Sequence, residues 1–372
     1  PQEKYRQHCV KQMLSSTLDY NLPKERIARF PAQKRDESRL LVYERSSGRI
    51  SHAIFKDLPE IIPHPYDFFR NDAAVLKGRI FAKKASGANI ECLLLTPYST
   101  PGVWTCMLKP GKRLPVGSKF GVENLFEATV KEKFEDGRAV VEFHIPNGMS
   151  VIDVSEKIGV VPLPPYIERN QNSPDYDRDF DNARYETVYA DSSKRVAAAA
   201  PTAGLHFTNE LVKRLEERGN VFHNLTLHVG IGTFQPLKSD IVEQHKMHSE
   251  IYEIPADTLR AITGSKLGRL AVGTTSLRAM EDFCRKNSEK TLDISRGFAD
   301  AASLFVYPPQ KIISADAMIT NFHLPRSTLM CLVAAFISPG EQDGIEILKH
   351  IYSIAVEKEY NFYSYGDAML IL

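Results

Sequence analysis

Arg269-Leu270-Ala271-Val272-Gly273-Thr274-Thr275-Ser276-Leu277-Arg278 reads as an apolar strand that breaks at a glycine and becomes a helix running to about Arg285. A strand feeding straight into a helix is the unit of an α/β fold with at least a partly parallel sheet. The pattern recurs around it. Residues 209–218 form an amphipathic helix that stops at Gly219, and residues 225–231 form a strand. Residues 312–319 form another strand, followed by Leu324-Pro325-Arg326-Ser327-Thr328 and an apolar helix from Leu329. Residues 344–359 carry Ile345, Leu348, Ile351, Tyr352 and Ala355 on one helical stripe.

A different grammar fills residues 66–148. Short alternating runs at 89–95, 103–108, 125–132 and 138–145 are separated by Ser86-Gly87, Pro110-Gly111, Pro115-Val116-Gly117 and Asp136-Gly137. Asp-Gly between two alternating runs is a hairpin signal, and the set predicts a small all-β barrel or sandwich. Further strand signals at 40–44 and 50–54 lie upstream. The expected organisation is a discontinuous α/β domain, residues 13–65 and 149–372, with a mixed, barrel-like sheet and helices. A small inserted β-barrel domain occupies 66–148, and residues 1–12 form an N-terminal extension. The stretch 155–191, rich in proline and aspartate, is expected to be a loop.

The chain has 372 residues, so more than one core is expected. Its formal net charge of +1 gives no global basic field to attract nucleic acid. A nucleic-acid partner would need a local patch, and residues 24–39 hold six lysines and arginines with three acids among them. Taken alone, that run reads better as a solvated, self-paired face. No apolar run approaches the roughly 18 residues of a bilayer span, and no signal peptide is visible, so no membrane role is expected. The five cysteines show no Cys-x-x-Cys spacing and read as reduced thiols of a cytoplasmic protein; Cys92 and Cys106 suit adjacent strands.

The candidate chemistry gathers in a few segments. Pro201-Thr202-Ala203-Gly204-Leu205-His206-Phe207-Thr208, Leu227-His228-Val229-Gly230-Ile231-Gly232 and His245-Lys246-Met247-His248 carry four of eleven histidines among small residues. Imidazoles beside glycine, alanine and threonine suit a pocket that a ligand can approach. Gly230 and Gly232 on a strand would leave room for a flat ligand such as a purine. Thr274, Thr275 and Ser276 at a helix start offer backbone N–H groups and hydroxyls to an anion, with Arg278 one turn on. Asn321 and His323 follow a strand, where α/β proteins collect ligands. Each feature also has a plain structural reading: a turn, a cap or a satisfied buried histidine. A zinc or iron site built from His206, His228, His245, His248 and His323 lacks any metal-site spacing, so no metal is expected.

Taken in order, these segments resemble the S-adenosylmethionine:tRNA ribosyltransferase-isomerase family of queuosine biosynthesis. The resemblance is carried by Tyr20-Asn21-Leu22-Pro23, Arg35-Asp36-Glu37-Ser38-Arg39-Leu40, Pro162-Leu163-Pro164-Pro165-Tyr166-Ile167 and Arg184-Tyr185-Glu186-Thr187-Val188-Tyr189. It continues through residues 201–208, 227–236, 243–250, 272–278 and 319–328 to Tyr363-Ser364-Tyr365-Gly366-Asp367-Ala368-Met369-Leu370. It implies transfer and isomerisation of the ribosyl group of S-adenosylmethionine onto the 7-aminomethyl-7-deazaguanine wobble base of tRNA. Epoxyqueuosine forms, and adenine and methionine are released. S-adenosylmethionine is then a consumed substrate, no separate cofactor is implied, and the enzyme is expected to be a cytoplasmic monomer whose partner is tRNA.

On this reading His206 and His228 are acid/base candidates, with His323 completing the catalytic set. Thr202, Gly204, Gly230, Gly232, Thr274, Thr275, Ser276, Arg278 and Asn321 are substrate-binding candidates, and Lys34, Arg35 and Arg39 face tRNA. One departure stands out. The family usually reads Asn-Asp-Thr-Arg where this chain has Asn71-Asp72-Ala73-Ala74, so the arginine's role is lost or passes to a neighbour such as Arg70 or Lys77. Two other classes compete: a histidine-based metal hydrolase, and a tRNA-binding protein that has lost catalysis.

Overall fold

The computed structural model describes residues 12–167, 169, 177–230, 237, 239–247, 249–288 and 293–372. In chain order, β1 (Arg39–Glu44), β2 (Arg49–Ile54), the short α1 (Leu58–Ile61), β3 (Tyr66–Asn71) and β4 (Ala73–Val75) lead into the barrel strands. Those are β5 (Arg79–Lys83), β6 (Asn89–Pro97), β7 (Val103–Lys109), β8 (Lys119–Val122), β9 (Phe126–Lys133) and β10 (Arg138–His144). Then come α2 (Val151–Ile158), α3 (Arg178–Arg184), β11 (Asp191–Ala197), α4 (Asn209–Glu217), β12 (Val221–Leu227) and β13 (Glu250–Ile254). The chain closes with α5 (Ala256–Gly264), β14 (Gly268–Val272), α6 (Gly273–Asn287), β15 (Phe298–Ala302), β16 (Ala317–Asn321), α7 (Thr328–Ile337), α8 (Gly344–Glu357) and β17 (Ala368–Ile371).

The body is one nine-stranded sheet in the order β15-β13-β12-β3-β14-β16-β17-β1-β2. Its centre, β12-β3-β14-β16, is parallel throughout, and antiparallel pairs lie towards both edges. A central parallel strand is covered on both faces, so it reads as a continuous apolar run. β14 and β16 bury Leu270, Ala271, Val272, Met318 and Ile319, with α7 supplying nine further buried residues. Each fully buried leucine or isoleucine contributes roughly 1.5–3 kcal/mol. Ser327 caps α7 through the Met330 N–H, and Thr208 caps α4 through Leu211 N–H, as the sequence breaks suggest.

Strands β10-β7-β6-β5-β8-β9 close into a barrel around its own apolar cluster, including Ile80, Cys92, Leu94, Cys106, Phe126 and Val141. The Asp136-Gly137 hairpin joins β9 to β10. Cys92 and Cys106 are diagonal neighbours on adjacent strands and remain free thiols; burial pushes the Cys106 thiol up.

Four expectations shift. The barrel sheet begins at β5, not at residue 66, because β3 is buried on both sides and pairs with β12 and β14 in the large sheet. The strand expected at 225–231 ends at Leu227, so Gly230 follows it. The strand expected at 312–319 runs instead from Ala317 to Asn321, and the expected loop at 155–191 contains α3. Among the described residues no helix is long and apolar enough to cross a membrane.

Candidate active site

The four parallel strands β12, β3, β14 and β16 end along one edge of the sheet, after Leu227, Asn71, Val272 and Asn321. This edge is where open α/β sheets bind ligands. The side chain of Asn71 ties two of the ends together. It accepts from Leu227 N–H at 3.0 Å and donates to Leu227 O at 3.1 Å. Between the ends of β14 and β16 lies a narrow cleft lined by Thr202, Gly273, Thr274, Thr275, Thr320, Asn321, His323 and Ser364 among others. A second, small cavity shares Thr274, Thr275 and Leu329 with it and adds Glu250, Arg278 and Phe305.

The start of α6 stands between the two. Gly273 has φ of 88°, a left-handed conformation that glycine adopts without strain, so strand passes to helix with no intervening loop. No side chain caps this helix, and its first N–H groups carry the positive end of the helix dipole. The hydroxyls differ in use. Ser276 donates back to Val272 O at 2.8 Å, is fully buried and belongs to the helix rather than to a ligand. Thr275 Oγ1 is buried and has no hydrogen-bond partner.

Asn321 carries the second unused group. Its amide nitrogen donates to Tyr363 O at 3.1 Å and to His206 Nε2 at 3.2 Å. Flipping the amide would set its oxygen against the Tyr363 carbonyl, two acceptors face to face, so the orientation is fixed. Asn321 Oδ1 is therefore a buried acceptor without a donor. Leaving such a group unsatisfied costs about 1–3 kcal/mol, a cost that a bound N–H or O–H removes.

His206 is spent in this arrangement. With Nε2 accepting from Asn321, Nδ1 carries the proton and donates to Ser38 Oγ at 2.7 Å; the Ser38 hydroxyl donates to Arg35 O at 3.2 Å. Burial, assisted by the charge of Arg35, pushes the His206 pKa down to about 3. Both nitrogens are occupied and the ring stays neutral at physiological pH. The acid/base expected at His206 thus lies in a ring whose two nitrogens bond Asn321 and Ser38. His323 is likewise held near 3 by burial. Thr320 donates to Asn321 O at 3.2 Å, so His323 Nε2–H donates to Thr320 Oγ1 at 3.0 Å. His228, half-buried, has Glu253 Oε1 at 3.8 Å; burial lowers its pKa while Glu253 opposes that shift.

Other expected residues find partners. Arg278 is buried against Glu250 and donates to Ala302 O at 2.8 Å, and Glu250 also accepts Gly230 N–H at 2.7 Å. The guanidinium and carboxylate neutralise one another beside the second cavity. Gly204 packs where a Cβ would lie 1.9 Å from the Tyr189 hydroxyl, so it makes room for that ring rather than for a ligand. Gly232 and His248 lie outside the described residues. In the basic run, Lys34 pairs with exposed Glu37 at 3.0 Å, and Arg39 stacks 3.8 Å over Tyr360 while donating to Lys358 O. Arg35 turns inward to Leu205 O and Ala183 O.

Neither neighbour proposed for the missing arginine is free for that role. Arg70 stacks on Tyr189 and Phe222, and Lys77 pairs with Glu156. Arg195, in register with Ala74 across β4 and β11, reaches Val75 O and Glu186 instead. Its place beside Ala74 was missed because pairing of β4 with a strand 120 residues on leaves no local trace. Ser38, Glu250 and the Tyr363 carbonyl were missed for the same reason, although Ser38 sits inside the Arg35–Leu40 run. Among the described residues no three His, Cys, Asp or Glu side chains gather to hold a metal ion.

Fold and cleft together define a class: an α/β protein with a mixed sheet, a polar cleft at the carboxyl ends of its central parallel strands and a closed barrel alongside. The sequence profile of the queuosine biosynthesis protein family matches residues 15–371. Proteins named S-adenosylmethionine:tRNA ribosyltransferase-isomerase are close relatives. Those of Thermosipho africanus and Pelobacter propionicus are 41% and 42% identical, each over 96% of this chain and all of the relative. The crystal structure of the S-adenosylmethionine tRNA ribosyltransferase from Thermotoga maritima aligns over 96% of this chain and all of its own, with 31% identity and a TM-score of 0.51. The chain belongs to the queuosine biosynthesis protein family.

Proposed function

We propose that the cleft between Thr275 and Asn321 binds S-adenosylmethionine. This enzyme, a tRNA ribosyltransferase-isomerase, moves and isomerises its ribosyl group onto the 7-aminomethyl-7-deazaguanine wobble base of tRNA. The observation that carries the site is the Asn321 Oδ1 acceptor, fixed by Tyr363 and His206 and lacking a donor. A nucleoside offers such donors in its amino group and ribose hydroxyls. Thr275 Oγ1 and the open start of α6 supply further polarity across the cleft.

The chemistry divides among a few groups. A sulfonium acidifies the adjoining carbon, a base removes the proton there, and the attacking amine must be neutral. The departing adenine is stabilised by hydrogen bonds. Neutral His206 and His323 hold hydrogen-bonded positions, because rings with pKa values near 3 do not store a proton at neutral pH. His228, whose ring is not enclosed by two short bonds, keeps the base role. S-adenosylmethionine is consumed, and the reaction uses no separate cofactor. The enzyme acts as a cytoplasmic monomer.

The test incubates the enzyme with S-adenosylmethionine and tRNA bearing the aminomethyl-deazaguanine base. Adenine and methionine appearing in equal amounts, with epoxyqueuosine in the tRNA, is the expected result. Binding of tRNA without adenine release would favour the non-catalytic reading motivated by Ala73 and Ala74.

A further inference from the structure

Next to the Ser38–His206–Asn321 chain lies a smaller cleft lined by Arg35, Ser38, Arg184, His206, Ser364 and Tyr365 among others. It shares Ser364 with the larger cleft, and His206 and Asn321 join the two through their hydrogen bond. Arg35 sits in the short turn Arg35–Glu37, and Arg184 is the last residue of α3. Both guanidiniums are anchored by backbone carbonyls. Arg35 donates to Leu205 O at 3.3 Å and Ala183 O at 2.8 Å; Arg184 donates to Gln33 O at 3.0 Å and Ala32 O at 2.6 Å.

Neither arginine forms an ion pair with a carboxylate among the described residues. Glu186, the carboxylate that acts on Arg35 from a distance, is bonded to Arg195. Burial and the charge of Arg184 weaken the hold of Arg35 on its proton. Two donors in the same cleft are sealed from solvent without partners: Arg184 Nε and the Tyr365 hydroxyl, whose residue is 5% exposed. Two like charges held together at a half-buried wall repel unless an anion lies between them. A planar fork of N–H donors matches an oxyanion's two acceptor oxygens.

We propose that Arg35, Arg184 and Tyr365 form a subsite for an oxyanion carried by a substrate, either the methionine carboxylate of S-adenosylmethionine or a phosphate of the tRNA. The choice of these two sources rests on the function proposed above. The backbone carbonyls fix the two arginines in place, so the subsite is organised before the anion arrives.

The experiment compares wild type with Arg35→Gln, Arg184→Gln and Tyr365→Phe in two binding measurements. The first is equilibrium dialysis against S-adenosylmethionine and its decarboxylated analogue without tRNA. The second is filter binding of tRNA across a salt series. If the carboxylate is the guest, each arginine variant binds S-adenosylmethionine about tenfold more weakly while the decarboxylated analogue is unaffected. If a phosphate is the guest, the salt slope of tRNA binding falls by about 0.7–0.9 per arginine and the ratio of the two small ligands does not change. A merely structural role moves the melting temperature but neither of these differences. Where a glutamine variant fails to fold, Arg35→Lys and Arg184→Lys test the fork alone: affinity for the anion-bearing ligand falls while the salt slope, which follows charge, stays at the wild-type value, and unchanged affinity for both S-adenosylmethionine and tRNA would overturn the subsite. Both measurements staying within twofold of wild type would overturn the subsite. Wild type that binds no S-adenosylmethionine would overturn the proposed function instead, while the tRNA series still reads the subsite.

Discussion

Thr105 is the one buried polar residue in the strands of the barrel, whereas the carboxyl edge of the large sheet buries Asn71, Asp72, Thr226, Thr274, Ser276, Thr320 and Asn321. The barrel keeps its charges outside. Lys119–Glu127, Lys131–Glu142 and Arg138–Asp136 are exposed pairs at 2.6–2.9 Å, each worth at most about 1 kcal/mol. The sheet edge does the opposite, burying amide, hydroxyl and imidazole groups and leaving Asn321 Oδ1 and Thr275 Oγ1 without partners. A region built only for stability satisfies its polar groups or has none. Barrel strand β5 also holds one such group, Arg79 Nε, but it lies 3.3 Å from the Glu91 carboxylate, whereas the sheet-edge groups line a cleft, which supports the edge as the ligand site proposed above.

Substitutions on the two sides should therefore separate activity from stability. Asn321→Ala removes the fixed acceptor, and adenine release by the folded enzyme should fall by a hundredfold to a thousandfold, about 3–4 kcal/mol of transition-state stabilisation, while unfolding free energy falls by about 1–3 kcal/mol as His206 Nε2 and Tyr363 O lose their donor. A loss under threefold would erase the contrast. In the barrel, Leu94→Ala opens a cavity at a fully packed position and should lower unfolding free energy by about 2–4 kcal/mol, while turnover of the folded enzyme stays within twofold. A tenfold fall in turnover at full folding would mean that the barrel interior is coupled to the reaction.

Acid sharpens the same contrast. His206 and His323 have folded pKa values near 3, far below the ordinary value near 6.5. Between those limits the unfolded chain binds more protons, so stability is fully present above pH 6.5 and is lost as the pH falls. Each histidine should contribute a slope of about 1.4 kcal/mol per pH unit between pH 6 and pH 4, and His206→Gln should remove its share in denaturant titrations. An unchanged slope in that variant would mean that the ring is not held neutral. The smallest effect belongs to the barrel surface, where Lys119→Ala should alter stability by less than about 0.5 kcal/mol by the same titration.

The barrel was also the more legible half. Alternation of period two and Asp136-Gly137 carry their own geometry, so β6, β7, β9 and β10 fall within a few residues of their sequence-based positions. The boundary failed at β3 because Tyr66-Asp67-Phe68-Phe69 is buried on both faces and lacks an alternating pattern. At the sheet edge the segments were visible and their roles were not. Histidine in a sequence signals chemistry near neutral pH, yet burial and the Ser38–His206–Asn321 bonds, spanning 168 and 115 residues, turn His206 into a support. Arg278 shows the same limit: its helix position was readable, its ion pair with Glu250 was not.

The most direct measurement is a crystal structure of the enzyme with S-adenosylmethionine bound. The ligand should lie at the ends of β14 and β16, with one of its N–H or O–H groups within about 3.2 Å of Asn321 Oδ1 and a polar atom at Thr275 Oγ1. A ligand seated in the open cleft of the barrel beside Lys83, Lys84 and Lys119, with Asn321 Oδ1 still unpartnered, would contradict the assignment of the sheet edge as the active site.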